Sequence, residues 1–125
     1  MESGGKIRDL EDRLVEFAVL IMKISEKLPI TQSGRYISDQ LIRSGTSPAL
    51  NYGEAKGAES SGDFIHKMKV CLKELRETFI SLKIIKAKPL LPPDDLFTAA
   101  MQECNELISI FVKSVQTAET HRKKK

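Results

Sequence analysis

Apolar residues recur at helical spacing in four stretches of the chain. In the first, Ile7, Leu10, Leu14, Phe17, Ile21, Ile24 and Leu28 follow one another at alternating steps of three and four. That spacing puts all seven on one face and predicts a helix over about 6–28, which Pro29 ends. The second stretch predicts a helix over about 32–58. Ile37, Leu41, Ser44, Pro48, Asn51 and Ala55 share its inner face, so the buried stripe there is narrow and partly polar. The third, about 61–88, carries Phe64, Met68, Cys71, Leu75, Leu82 and Ile85, widened by Leu72 and Phe79. Ser60 with Asp63 three residues on resembles the start of a capping box. The fourth, about 94–116, repeats Phe97, Met101, Cys104, Ile108, Phe111 and Val115, with Asp94 and Asp95 suited to the positive end of its dipole.

No segment alternates with period two, and no hairpin signal occurs. Four amphipathic helices with short connections predict an all-α protein. The expected arrangement is a single antiparallel up-down-up-down four-helix bundle, one domain over residues 1–125. Residues 1–5 and 118–125 are expected to be flexible tails.

The stretch "RSGTSPALNYGEAKG" is the exception to the pattern, with a proline and three glycines. Read alone it suggests a loop or a catalytic turn. Its apolar positions nevertheless stay in helical phase across Pro48, which predicts one helix, kinked near Pro48. The proline deprives the Ser44 carbonyl of its usual partner. Ser47 and Asn51 are placed to satisfy backbone groups there, and Asn51 and Glu54 are expected to be buried or half-buried.

Composition changes this picture little. Apolar content of 41% and charged content of 30% suit a globular domain, and the chain lacks tryptophan. No apolar run is long enough to span a bilayer, and "MESGGKIRD" has no signal-peptide pattern, so a cytoplasmic setting is expected. Cys71 and Cys104 form no CxxC pair and fall in different layers of the bundle, which predicts two buried thiols. Asp63 and His66 make one D-x-x-H pair, half of what a carboxylate-bridged di-metal bundle requires. A helix cap and a surface histidine explain them better. Ser44, Thr46 and Ser47 lack a nearby histidine, and no nucleophile-elbow or phosphate-loop motif is present. No catalytic residue, metal or cofactor is therefore assigned.

Charge is more informative. The net charge is +3, but residues 61–91 alone carry +4. At about 100° per residue, Lys69, Lys73, Arg76 and Lys83 fall within an arc of about 80°. With Arg122 and Lys123 near the C-terminus they are the candidate nucleic-acid-binding residues. The plainer reading is a solvated lysine face. Val15, Val19 and Met22 in the first helix, and Val70, Ile80 and Ile84 in the third, lie off the core seams and suggest a subunit interface.

The run "QLIRSGTSPALNYGEAKGAESSGDFIHKMKVCLKELRETFISLKII" resembles the signature of the bacterial 23S rRNA intervening-sequence protein family, also labelled S23 ribosomal protein. Gln40, Arg43, Ser44, Ser47, Asn51, Glu54, Phe64, Lys67, Lys73 and Glu74 match it. Pro48 directly after Ser47 departs from the pattern, which usually has an apolar residue there. The resemblance assigns Arg43, Ser44, Ser47, Asn51 and Glu54 a structural role. The family's name reflects genes found inside insertions in rRNA genes. It is similar to the accessory variability protein of diversity-generating retroelements, a basic homopentamer that binds nucleic acid and a reverse transcriptase. The resemblance thus implies a non-enzymatic homo-oligomer, a pentamer, with RNA or a nucleic-acid-processing protein as partner and no membrane role. The alternative is a protein-interaction scaffold with no nucleic-acid role.

Overall fold

The computed structural model describes residues 9–92 and 94–124. Four helices account for nearly all of them: α1 (Leu10–Ser25), α2 (Gln32–Lys56), α3 (Ser61–Ala87) and α4 (Asp95–Lys124). Each begins at a short polar residue whose side chain accepts from the backbone N–H three positions on. Asp9 accepts from Asp12 at 2.8 Å, Thr31 from Gly34 at 3.0 Å, Ser60 from Asp63 at 3.0 Å and Asp94 from Phe97 at 2.8 Å. Such caps contribute about 1 kcal/mol each and fix where the helices start.

α2 packs on α1 and α3, and α4 on α3 and α1, while the diagonal pairs make no close backbone contact among the described residues. Ion pairs give the directions. Lys56 at the end of α2 meets Glu11 at the start of α1, and Lys69 near the start of α3 meets Glu119 near the end of α4. At the opposite end Lys27, just past α1, meets Asp94, just before α4. Neighbours are therefore antiparallel, and the bundle runs up-down-up-down as its short connections require. The core is the expected one in outline, with Leu14, Phe17, Ile21, Leu41, Leu75, Leu82, Leu107 and Phe111 essentially sealed from solvent.

α2 is one continuous helix across Pro48, whose ring is fully buried. Three turns of this helix show how. Gly45 faces Ile21 so closely that a Cβ built on it would lie 2.6 Å from Ile21 Cγ2. Only a residue without a side chain lets α1 approach α2 here. Pro48 offers its carbonyl to the Cys71 thiol at 3.5 Å. The Asn51 amide donates to the Ser47 carbonyl at 3.0 Å and to Ser47 Oγ at 2.8 Å. Asn51 therefore serves Ser47 and not the Ser44 carbonyl left over by the proline.

Some boundaries differ from the sequence expectation. α1 ends at Ser25 because the chain tightens before Pro29: Lys27 N–H donates to Ile24 and Leu28 N–H to Ser25, each only three residues back. Leu28 still reaches the core from this turn. Residues 1–8, which include Ile7 and the expected N-terminal tail, lie outside the described residues. At the other end the expected tail is corrected over 118–124, since α4 continues to Lys124, and Lys125 lies outside the described residues. Lysine and arginine are good helix formers, and their charge suits the negative end of the helix. Glu119 ties this segment to α3, and the Arg122 guanidinium covers Gly62, where a Cβ would approach Nη1 to 2.8 Å. Among the described residues no helix is long and apolar enough to cross a membrane.

Candidate nucleic-acid interface

The polar residues of α2 and α3 meet each other. Arg43 donates to Glu74 at 2.9 Å and to Glu77 at 2.7 Å, with Gln40 at 3.3 Å beside it. Donating to Glu77, then to Glu74, raises the Arg43 pKa above its ordinary value. Next to Arg43 on α2, Ser44 is buried and accepts a hydrogen bond from Thr78 Oγ1 at 2.8 Å; that hydroxyl also lies 2.9 Å from the Glu74 carbonyl. Nearer the other end, Lys67 of α3 pairs with Glu54 of α2 at 2.5 Å. Glu54 is exposed, not half-buried as its place in the stripe suggested, because it sits on the outer edge of α2 facing α3. Ser47 and Asn51 are half-buried and bond to each other. These contacts lock α2 to α3 in register. They hold no convergent nucleophile and base, and among the described residues no three His, Cys, Asp or Glu side chains gather as a metal ion would need. Cys71 and Cys104 are buried free thiols whose pKa is pushed up to about 12 by burial. Glu74 and Thr78 are not legible as buried positions from their polarity; their signal is that they lie one turn apart, at i and i+4, on the flank of α3 beside Leu75.

The same contacts sort the charges. Glu74 and Glu77 are turned to the α2 side of α3. On α4, Glu103 and Glu106 are turned the other way, to Arg13 of α1 at 2.8 and 3.1 Å. Four carboxylates are thus drawn off the outer surface shared by α3 and α4. That surface keeps Lys69, Arg76 and Lys83 of α3 and Lys123 of α4, all exposed. Glu119 is the carboxylate left among them: it pairs with Lys69 at 2.8 Å, and Lys69, then Lys123, hold its pKa below the usual carboxylate range. Lys73 lies at the α2 edge of the face, 3.9 Å from Glu77. Arg76 has no ion pair among the described residues, and Lys83 Nζ stands 5.9 Å from the centroid of the Phe79 ring. Because α4 stays helical, Arg122 and Lys123 are held at the end of this surface instead of trailing in a tail. Cations on α3 and α4 thus share one surface with a single half-buried carboxylate, Glu119, among its described residues, an arrangement whose field favours anionic groups.

A comparison with protein families matches residues 10–113 to the 23S rRNA-intervening sequence protein family. The chain belongs to that family. Among solved structures it is similar to a protein of unknown function from the S23 ribosomal protein family of Bacteroides thetaiotaomicron. The two are 29% identical with a TM-score of 0.78, over 86% of this chain and 98% of that one. A comparison with curated proteins gives no match. The family span contains every residue of the α2–α3 lock and ends before the last turns of α4, so Glu119, Arg122 and Lys123 are features of this chain outside the matched region.

Proposed function

We propose that this member of the 23S rRNA-intervening sequence protein family is a non-enzymatic homo-oligomer, a pentamer, that binds RNA through the outer surface of α3 and α4. The observation that carries the proposal is the sorting of charge. Glu74 and Glu77 are held by Arg43, and Glu103 and Glu106 by Arg13, so the α3–α4 surface is left cationic. Four or five such cations on one small chain bind a phosphate backbone weakly. Repeating them around an oligomer multiplies the contacts made by one strand, which raises avidity without new contacts in each copy. The α2–α3 lock serves this by fixing the helix that presents most of the cations.

The test is binding of a structured RNA by the purified protein across a salt series. Log affinity falls linearly with log salt when phosphate contacts release counterions. A flat response, or no binding at low salt, overturns the nucleic-acid reading. In that event the exposed apolar rows of α1 and α3 favour the second reading, a scaffold for another protein.

A further inference from the structure

Two apolar surfaces of unlike shape remain uncovered on the bundle. The first is a ridge. Val15, Val19 and Met22 of α1 are 49%, 45% and 42% exposed, and at steps of four and three they form one row. Gly45 of α2 abuts Ile21, and Lys56 of α2 pairs with Glu11, whereas Arg13 reaches α4. The row therefore lies on the α2 side of α1, where the exposed Ile42 of α2 continues it. Exposed carboxylates of Asp12 and Glu26 flank the row, with Lys23 beside them, while Glu16 lies toward α4.

The second surface is a groove of about 530 Å³ between the outer edges of α2 and α3. Tyr36, Ile80 and Ile84 line it and are 63%, 53% and 44% exposed. Its polar rim is cationic. Arg43, Lys73 and Arg76 stand there, and the rim carboxylate Glu77 is already held by Arg43.

We infer that the α1 ridge of one copy seats in the α2–α3 groove of the next, so that the oligomer is a head-to-tail ring. This rests on the homo-oligomeric reading given above and names the surfaces that build it. Three features support it. Shape is complementary, a single row against a groove. Charge is complementary too, since Asp12 and Glu26 meet Lys73 and Arg76. Pairing either surface with itself across a twofold axis would oppose like charges, which disfavours a symmetric dimer. Third, the two surfaces lie on adjacent sides of the bundle, about 90° apart for four helices in a square. Unlike surfaces set at an angle to one another close a ring when the repeated turn completes a circle. Lys69, in its pair with Glu119, and the exposed Lys83 and Lys123 lie outside the groove and stay accessible to a polyanion.

The test uses Val19→Glu and Ile80→Glu, both at exposed positions, with helicity checked by circular dichroism. Mass is measured by light scattering for the full chain, each variant and their mixture. The wild-type chain is expected at five-chain mass and each variant alone as a monomer. A 1:1 mixture, titrated to its highest soluble concentration, is expected to give a dimer of one copy of each. Val19→Glu keeps an intact groove and Ile80→Glu an intact ridge, so they join once and stop. A wild-type monomer overturns the homo-oligomeric reading itself. Wild-type assembly that either variant leaves unchanged, or a mixture that stays monomeric, overturns the ridge-in-groove assignment alone.

Discussion

The same substitution at two glycines of α2 is expected to act with opposite sign. Gly45 and Gly53 both lie in the helix, where replacement by alanine removes backbone freedom from the unfolded chain. For an interior helical position that gain is about 0.8–1.0 kcal/mol, a little less near the end where Gly53 sits. At Gly53 a new Cβ meets nothing within 4 Å, so Gly53→Ala keeps the gain. At Gly45 the new Cβ lies 2.6 Å from Ile21 Cγ2 and 3.0 Å from both Cβ and Cγ1 of that residue. Ile21 is branched, fully buried and wedged in the core, so it has no free end to swing aside. Overpacking of this kind costs about 1–3 kcal/mol. The propensity gains largely cancel between the two variants, so the difference between them isolates the clash, about 1–3 kcal/mol. For a domain of this size that separates the two melting temperatures by roughly 3–12 °C. Thermal denaturation at one fixed protein concentration reads the difference. If Gly45→Ala stabilises the protein as much as Gly53→Ala does, the close approach of α1 and α2 through Gly45 is wrong.

Two further outcomes follow from the buried polar groups. Thr78→Val removes the donor to Ser44 Oγ, which is 1% exposed, and should cost about 1–3 kcal/mol in denaturant unfolding. Adding Ser44→Ala should recover most of that loss, because no unpaired group then remains, and a double variant weaker than Thr78→Val contradicts the pairing. Burial pushes the Cys71 and Cys104 thiols up to about 12, so both stay protonated through neutral pH and are walled off. Labelling by a thiol reagent at pH 8 should proceed only as fast as the protein opens and become rapid in denaturant; prompt labelling of either thiol in the native state counts against the core assignment.

The fold was legible because each helix carries a seam at helical spacing, and a seam of that length has one use. Leu14, Phe17, Ile21 and Ile24 are buried as their spacing required. Where single positions departed, the cause lies in a partner on another helix. Ile65 is buried and Phe64 is only half-buried, because the start of α3 lies beside both α2 and α4 and periodicity alone does not say which flank is closed. Ala100 and Leu107 lie deeper than Met101 and Ile108 for the same reason on α4. Glu74 and Thr78 are buried by Arg43 and Ser44, over thirty residues away in sequence. No local pattern reports such a pairing.

The basic surface was partly legible. Periodicity grouped Lys69, Lys73, Arg76 and Lys83 on one arc. It did not show where the neighbouring carboxylates turn, which depends on Arg13 and Arg43 in other helices. Residues 121–124 of the C-terminal run "HRKKK" are helical where the sequence suggests a tail, because a charge run reads as solvated unless something binds it. Here Glu119 pairs with Lys69 and Arg122 covers Gly62, and both contacts join the end of α4 to the start of α3.

The most direct test of the account is the salt dependence of RNA binding by the wild-type chain and by a Lys83→Gln, Lys123→Gln variant. Neither lysine lies in the core, in the α2–α3 lock or in the groove, so the variant should fold and reach the same assembled mass. Each phosphate contact contributes about 0.7–0.9 to the slope of log affinity against log salt. The account predicts a shallower slope, reduced by at least that amount, with weaker binding at every salt concentration. An unchanged slope and affinity would contradict it and place any nucleic-acid contact elsewhere on the protein.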